Sequence, residues 1–358
     1  MRRSPQEPYD QQDVARNRAA RHGTAAWSSP EWRDDAVSWL DEQLAAAGIH
    51  RRGDVEQPHL RPWATVLRAP TSAGPVWLKA VGPGTAFEVG LYEVLARIAP
   101  DRVLTPIASD SERGWILLPD GGQPIGERLA GTDLTKALVE ALAQYGDLQR
   151  NLTLHVDELL TLGVADMRPA IMSQRFDEAM EAAGAIIDSR GENAGGHATH
   201  RRVTAMRTTF ATWCQQLGES RVPASLDHND LHPWNILGDG AGTAAFYDWG
   251  DSVVAHPFAA MLVPLGFVQR LLDVNLDDPG FLSARDTYLQ GFAHSAGDED
   301  LAATLELACR VAKVARALTW NRALQAARDD GDEIDDGWVT APLESVASLL
   351  DESYLGGA

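Results

Sequence analysis

The chain has 358 residues, 44% of them hydrophobic and 23% charged, which predicts a folded protein of two or three packed units and excludes a disordered chain or a coiled coil. Fifty-one acidic against 31 basic residues leave a net charge of -20. That balance opposes the counterion release on which nucleic-acid and anionic-membrane binders depend, so neither partner is expected. No apolar run approaches the roughly 18 residues of a membrane span, and the opening MRRSPQEPYDQQD has no apolar stretch, so the expected compartment is the cytoplasm. Cys214 and Cys309 share no CxxC spacing and are expected as buried free thiols.

In chain order, residues 1–26 are polar and aperiodic and read as a loose leader, part of an N-terminal arm and cap over 1–60. SPEWRDDAVSWLDEQLAAAG, from Ser29, carries an N-cap serine, a first-turn proline and a glycine stop, and predicts a helix with one apolar face. ATVLRAPTSAGPVWLKAVG predicts a β-hairpin with Lys79 near the end of its second strand, and FEVGLYEVLARIAP a helix. GWILLPDGG is an apolar strand stopped by Pro, Asp and Gly, which places a lobe boundary near 119–124. The chain is thus divided into a β-rich part over 61–122 and a helical lobe over 123–358.

DLTKALVEALAQYGDLQRNL repeats its apolar residues about every 3.6 positions and predicts an amphipathic helix in the core of that second lobe. Helices are expected over 168–186 and 200–217, joined by SRGENAGGHATHRR as an exposed, mobile loop. After a β-like centre at 226–249, helices are expected over 258–272, 280–293, 299–326 and 340–352. Only three lysines occur, at 79, 136 and 313. One of them stands in a strand.

The chemistry is written in SLDHNDLHPWNILGDGAGTAAFYDWGD. His228, Asp230 and Asn235 form H-x-D-x-x-x-x-N, and Asp248 follows Asn235 by thirteen residues across an expected hairpin. Phosphoryl transfer requires an oriented hydroxyl and a cation held against the nucleotide phosphates, and a carboxylate five residues from a carboxamide can supply both. Asp230 would accept a hydrogen bond from the acceptor hydroxyl, while Asn235 and Asp248 would offer oxygen ligands to Mg²⁺, a hard cation. His232 reads as a structural or substrate-side group, since Asp230 already fills the acid-base position. Asp251 could support a metal-bound water, bind substrate or cap the next segment. Trp320, on the helix RVAKVARALTWNRALQA, could offer its face to a sugar ring or pack in the core.

HNDLHPWNIL and FYDWGD resemble the catalytic core of the aminoglycoside phosphotransferase and choline-kinase family, and the likeness runs in order over roughly residues 60–330. It implies an α+β, bilobal protein-kinase-like fold with a small β-rich lobe and a larger helical lobe, using ATP and Mg²⁺. By the same resemblance Lys79 would contact the α- and β-phosphates, with Glu88 preferred over Glu93 as its partner. Leu117 to Asp120, with Leu118 and Asp120 as marker positions, would offer peptide groups to adenine. No G-x-G-x-x-G precedes Lys79 and no A-P-E follows Asp248, which sets the chain apart from protein kinases. The tryptophan-bearing N-terminal extension and the Arg-rich, Lys-poor composition resemble the actinobacterial glucosamine kinases and maltokinases. That likeness implies transfer to the 6-hydroxyl of glucosamine, a small sugar or amino-sugar partner, with an aminoglycoside O-phosphotransferase and a non-catalytic kinase-like binding protein as alternatives. All four of Lys79, Asp230, Asn235 and Asp248 are present, which weighs against the last.

Overall fold

The computed structural model describes residues 22–191, 194–238 and 242–356. Most of the expected leader, and the centre of the GDGAG turn, lie outside the described residues. Helices of more than ten residues run over Pro30–Ala46 (α1), Phe87–Ile98 (α2), Gly131–Leu152 (α3), Met172–Arg190 (α4), Ala194–Thr204 (α5), Arg207–Gly218 (α6), Leu262–Leu272 (α7), Pro279–Leu289 (α8), Leu301–Asp330 (α9) and Asp336–Ala347 (α10).

A five-stranded antiparallel sheet forms the smaller part, in the order β1-β2-β3-β5-β4: Glu56–Leu60, Ala64–Thr71, Gly74–Val81, Trp115–Pro119 and Ala108–Asp110. Alternation sorts its side chains between two cores. Leu67, Ala69, Val76, Leu78 and Leu117 face α1, whose Trp32 and Trp39 both set their rings edge-on to Trp115, at 6.2 and 5.5 Å. Ile116, Leu118 and Val81 face α2 and the larger core. Lys79 directly follows Leu78 and so emerges on the α2 face.

The α1 start matches its sequence signals, with Ser29 Oγ accepting from Trp32 N and Pro30 opening the helix. Two expectations need correction. Residues 24–27 already form a helical turn with Trp27 buried in the α1 core, because a large indole removed from water outweighs the polar character of its neighbours. The Gly-rich connector is largely α5, held to α4 by buried Val203 and by a 2.8 Å contact between His200 Nε2 and Met180 O. Docking supplies what intrinsic propensity lacks there.

The larger part is helical around two small sheets. One has the order β6-β10-β7, Ala165–Asp166, Val253–Ala255 and Ser225–Asp227; the other pairs β8, Ile236–Leu237, with β9, Ala245–Phe246. Tyr145 and Gln149, one turn apart on α3, hold β7: the Tyr145 hydroxyl donates to Leu226 O and accepts from His228 N at 2.8 Å, and Gln149 Nε2 donates to Leu226 O and Pro257 O. Both side chains are buried, so the chain leaving β7 starts from a fixed point. Cys214 and Cys309 are buried free thiols. Among the described residues no helix is long and apolar enough to cross a membrane.

Candidate active site

The loop after β7 turns sharply at Asn229, whose φ of 63° lies in the left-handed region that asparagine tolerates. Its side chain is fastened by a 2.8 Å bond from Nδ2 to Thr319 Oγ1 on α9. Asp230 follows, and Arg316 of α9 reaches it with both terminal nitrogens at 3.1 Å from Oδ1 while donating to Asn229 O at 2.7 Å. The second carboxylate oxygen lies 3.4 Å from His232 Nε2. Burial alone would raise the Asp230 pKa, but the His232 hydrogen bond and the Arg316 charge outweigh it and hold the carboxyl well below the usual range. Burial likewise opposes a charge on His232, and Asp230 overrides it to raise the imidazole. His232 is therefore a neighbour of Asp230 that shares its proton balance.

Asn235 closes the loop by donating from Nδ2 to Asp230 O at 3.0 Å, a bond that does not involve its carboxamide oxygen. Asp248 comes from the other arm of the β8–β9 hairpin, again in a left-handed conformation at φ 63°. Its carboxylate is half exposed and accepts from Lys79 Nζ at 2.5 Å. Lys79 also donates to Glu88 Oε1 at 2.7 Å, and the same oxygen accepts from Trp249 N at 3.0 Å. Glu88 is fully buried and Glu93 instead accepts from Ser109 Oγ, so the lysine is brought to Glu88. Burial disfavours the charge on Lys79, but Asp248 and Glu88 outweigh it and keep the ammonium protonated; Glu88 is itself pushed up by burial.

Asp251 stands beside this group, and burial together with the Asp230 and Asp248 charges pushes its carboxyl up to about 7. Asp120 accepts from Trp77 Nε1 at 2.8 Å, so its side chain is turned to the sheet. Leu118 is buried, and the registered partners of β4 stop at Leu117, leaving peptide groups beyond it with a strand neighbour on one side only. Trp320 packs edge-on to Trp63 at 5.9 Å, and Trp63 in turn to Trp338 at 5.0 Å, joining the start of β2 to α9 and α10.

Among the described residues no three His, Cys, Asp or Glu side chains are grouped to cage a metal. The carboxamide oxygen of Asn235 and the carboxylate of Asp248 are the oxygen donors that could hold a hard cation whose shell is completed by water and phosphate oxygens. Reading the sequence missed Arg316 and Thr319. With Trp320 they stand at i, i+3 and i+4 on one helix face, a signal visible in the helix but with nothing to tie it to a loop 86 residues earlier.

Asp227, just behind the loop, accepts from Asn229 N at 2.6 Å through Oδ1, while its buried Oδ2 has no partner. Burial, only partly offset by that bond and by Arg316, pushes its carboxyl up to about 7. The folded state then holds a proton that the unfolded chain has already lost, so this contribution to stability is lost as pH rises from near 3.8 through about 7. Asp227→Asn should therefore gain in melting temperature relative to the parent between pH 5 and pH 8. Paired thermal melts test this, and a difference independent of pH would refute it.

Residues 71–259 match the family model described as the phosphotransferase enzyme family, more than half of the chain. The chain belongs to this phosphotransferase family. Solved structures show the fold of this phosphotransferase to be protein-kinase-like, bilobal and α+β. A macrolide 2'-phosphotransferase from Brachybacterium faecium is 18% identical with TM-score 0.51, covering 89% of this chain and 98% of that one. The choline kinase of Streptococcus pneumoniae is 12% identical with TM-score 0.52, covering 87% and 99%. An ethanolamine kinase of Plasmodium vivax is 12% identical with TM-score 0.57, covering 96% and 95%. No curated protein matches the chain.

Proposed function

We propose that this phosphotransferase is an ATP- and Mg²⁺-dependent small-molecule kinase of the cytoplasm that phosphorylates a hydroxyl of an amino sugar, the 6-hydroxyl of glucosamine being the preferred acceptor. The observation that carries the reading is the convergence of Asp230, Asn235 and Asp248 with the Lys79–Glu88 pair in one cluster, of which the Asp248 carboxylate is half exposed. Residues 61–122 would take the nucleotide and residues 123–358 the acceptor, with the segment before 61 as a cap.

Lys79, fixed by buried Glu88, positions the α- and β-phosphates, and the peptide groups of the Leu118 to Asp120 segment receive adenine. Asn235 and Asp248 would hold Mg²⁺, which when bound neutralises charge on the phosphates. Asp230, held by Arg316 and His232, orients the acceptor hydroxyl for in-line attack. Its depressed pKa makes it a weak base, which suits a reaction whose main need is alignment. Asp230 places negative charge where an ammonium-bearing acceptor gains Coulomb energy over a neutral one, and Asp251, pushed up to about 7, adds to it only as it ionises. Choline kinase and ethanolamine kinase, two proteins of the same fold, are named for amine acceptors, which supports this preference. Trp320 would border the sugar from the aromatic cluster with Trp63.

The second reading, an antibiotic O-phosphotransferase, is favoured by the macrolide 2'-phosphotransferase among the proteins of this fold. Coupled ADP release with glucosamine, glucose, N-acetylglucosamine, choline, a macrolide and an aminoglycoside panel separates the two. Turnover with glucosamine well above glucose is expected. Turnover confined to antibiotics would replace the acceptor.

A further inference from the structure

Among the described residues two large apolar side chains are left exposed, Leu154 at 92% and Trp234 at 43%. A solitary exposed apolar residue is ordinary on a protein surface, and Leu154 is of that kind. Trp234 is not, because it stands in the loop between Asp230 and Asn235 and has aromatic company. Its ring centroid lies 6.0 Å from that of His232 and 5.9 Å from that of Phe267 on α7, and His232 and Phe267 are themselves 5.9 Å apart. His232 Nε2 in turn lies 3.4 Å from Asp230 Oδ2. A single imidazole thus separates the indole from the carboxylate, a gap that one sugar ring can bridge.

The indole is fixed from behind. The Tyr247 hydroxyl donates to Trp234 O at 2.5 Å, which holds the main chain. Gly126 belongs to the helical turn Ile125–Arg128, just after the interlobe segment, and a Cβ added to it would stand 2.8 and 2.9 Å from Cδ2 and Cε2 of Trp234. Those two atoms are the bond shared by the fused rings, so the turn lies against the centre of one indole face, and the exposed area belongs to the other face and the rim. A ring already fixed with its outer surface open pays little ordering cost when a ligand stacks on it. Arg270 stands over the Phe267 ring at 4.4 Å. That cation disfavours a second one on the same patch, so the apolar C–H face of a sugar suits it better than an ammonium does.

We propose that Trp234 is a specificity-determining residue, a platform on which a pyranose ring of the acceptor stacks while its hydroxyl is turned to Asp230, additional to the contact assigned to Trp320. The proposal rests on the reading of Asp230 as the group that orients the acceptor hydroxyl. It divides the recognition of an amino sugar between two neighbours: the indole takes the apolar ring face, and the carboxylate takes the polar groups. The ring may be that of a free amino sugar or one ring of an aminoglycoside, since both present the same face.

The full chain labelled with 5-fluorotryptophan, with AMP-PNP and Mg²⁺ present so that no transfer occurs, is titrated with glucosamine and with kanamycin and followed by ¹⁹F NMR, the Trp234 signal being the one lost in Trp234→Phe. A saturable shift of that signal with either compound is expected, glucosamine alone marking the free sugar and kanamycin alone the aminoglycoside. Isothermal titration of the compound that binds should show Trp234→Ala weaker by at least about tenfold, some 1.4 kcal/mol, and Trp234→Phe within about threefold of the parent because it keeps an aromatic face. A Trp234 signal unmoved by both compounds, or undiminished binding by Trp234→Ala, would overturn the proposal. Turnover of glucosamine in a protein whose Trp234 signal stays still would remove the platform and leave the kinase reading, whereas a saturable shift without turnover would remove that reading and leave the platform.

Discussion

Asp230→Asn is expected to lower turnover by at least about 100-fold, and up to about 10⁴-fold, the range that a positioned acid-base group contributes. The carboxamide is nearly isosteric, so the loop keeps its shape. Arg316 still donates to Asn229 O, Asn235 still donates to the main-chain oxygen of residue 230, and Asn229 remains tied to Thr319. What disappears is the negative charge that Arg316 and His232 now hold in place between them. Without it an acceptor hydroxyl has a weaker hydrogen-bond acceptor to align against, and the ammonium of an amine acceptor loses a Coulomb partner. The check is steady-state ADP release beside a thermal melt. Turnover within tenfold of the parent, in a protein that melts normally, would remove Asp230 from the chemistry.

Lys79→Met should lose both turnover and stability, and the stability term is the more informative. Glu88 is fully buried, and Lys79 is its cationic partner in a network that also includes Asp248. Removing one member of a buried pair strands the other, at a cost of about 3–5 kcal/mol. The Trp249 N–H would remain on Glu88 Oε1, but Oε2 is already buried without a partner. Glu88 would then be driven further toward its protonated form. A second substitution separates charge from packing: Lys79→Met with Glu88→Leu should be markedly more stable than the sum of the two single losses predicts. Denaturant unfolding of all four proteins measures the coupling. Simple additivity would show that the pair contributes packing alone, and unchanged ATP-dependent turnover in Lys79→Met would end the assignment of the lysine to the phosphates.

By itself the sequence determined whatever local periodicity and fixed spacing can carry. Leu134, Leu138, Leu142 and Tyr145 recur at the helical period, and the structure has them on the buried face of α3. The Ser29–Pro30 signal starts α1 where the structure starts it. Asp230, Asn235 and Asp248 are legible because one loop and one hairpin join them, and so few bonds separate them that their meeting needs little tertiary structure.

Only the tertiary structure decided the rest. Glu88 and Glu93 are both acidic residues of one helix, and what distinguishes them is that the first faces Lys79 and the second Ser109. Arg316 is one arginine among many until α9 passes the loop after β7 and brings it to Asp230. The segment after Arg190 is rich in glycine and polar residues, poor in intrinsic helix propensity, yet Val203 and His200 gain enough by docking on α4 to make it a helix. Trp234 is one more apolar residue of its loop until Gly126 closes on one face of its indole and leaves the rest exposed beside His232. In each case the deciding energy is burial or pairing between residues distant in sequence, and such terms exist only once the chain has closed on itself.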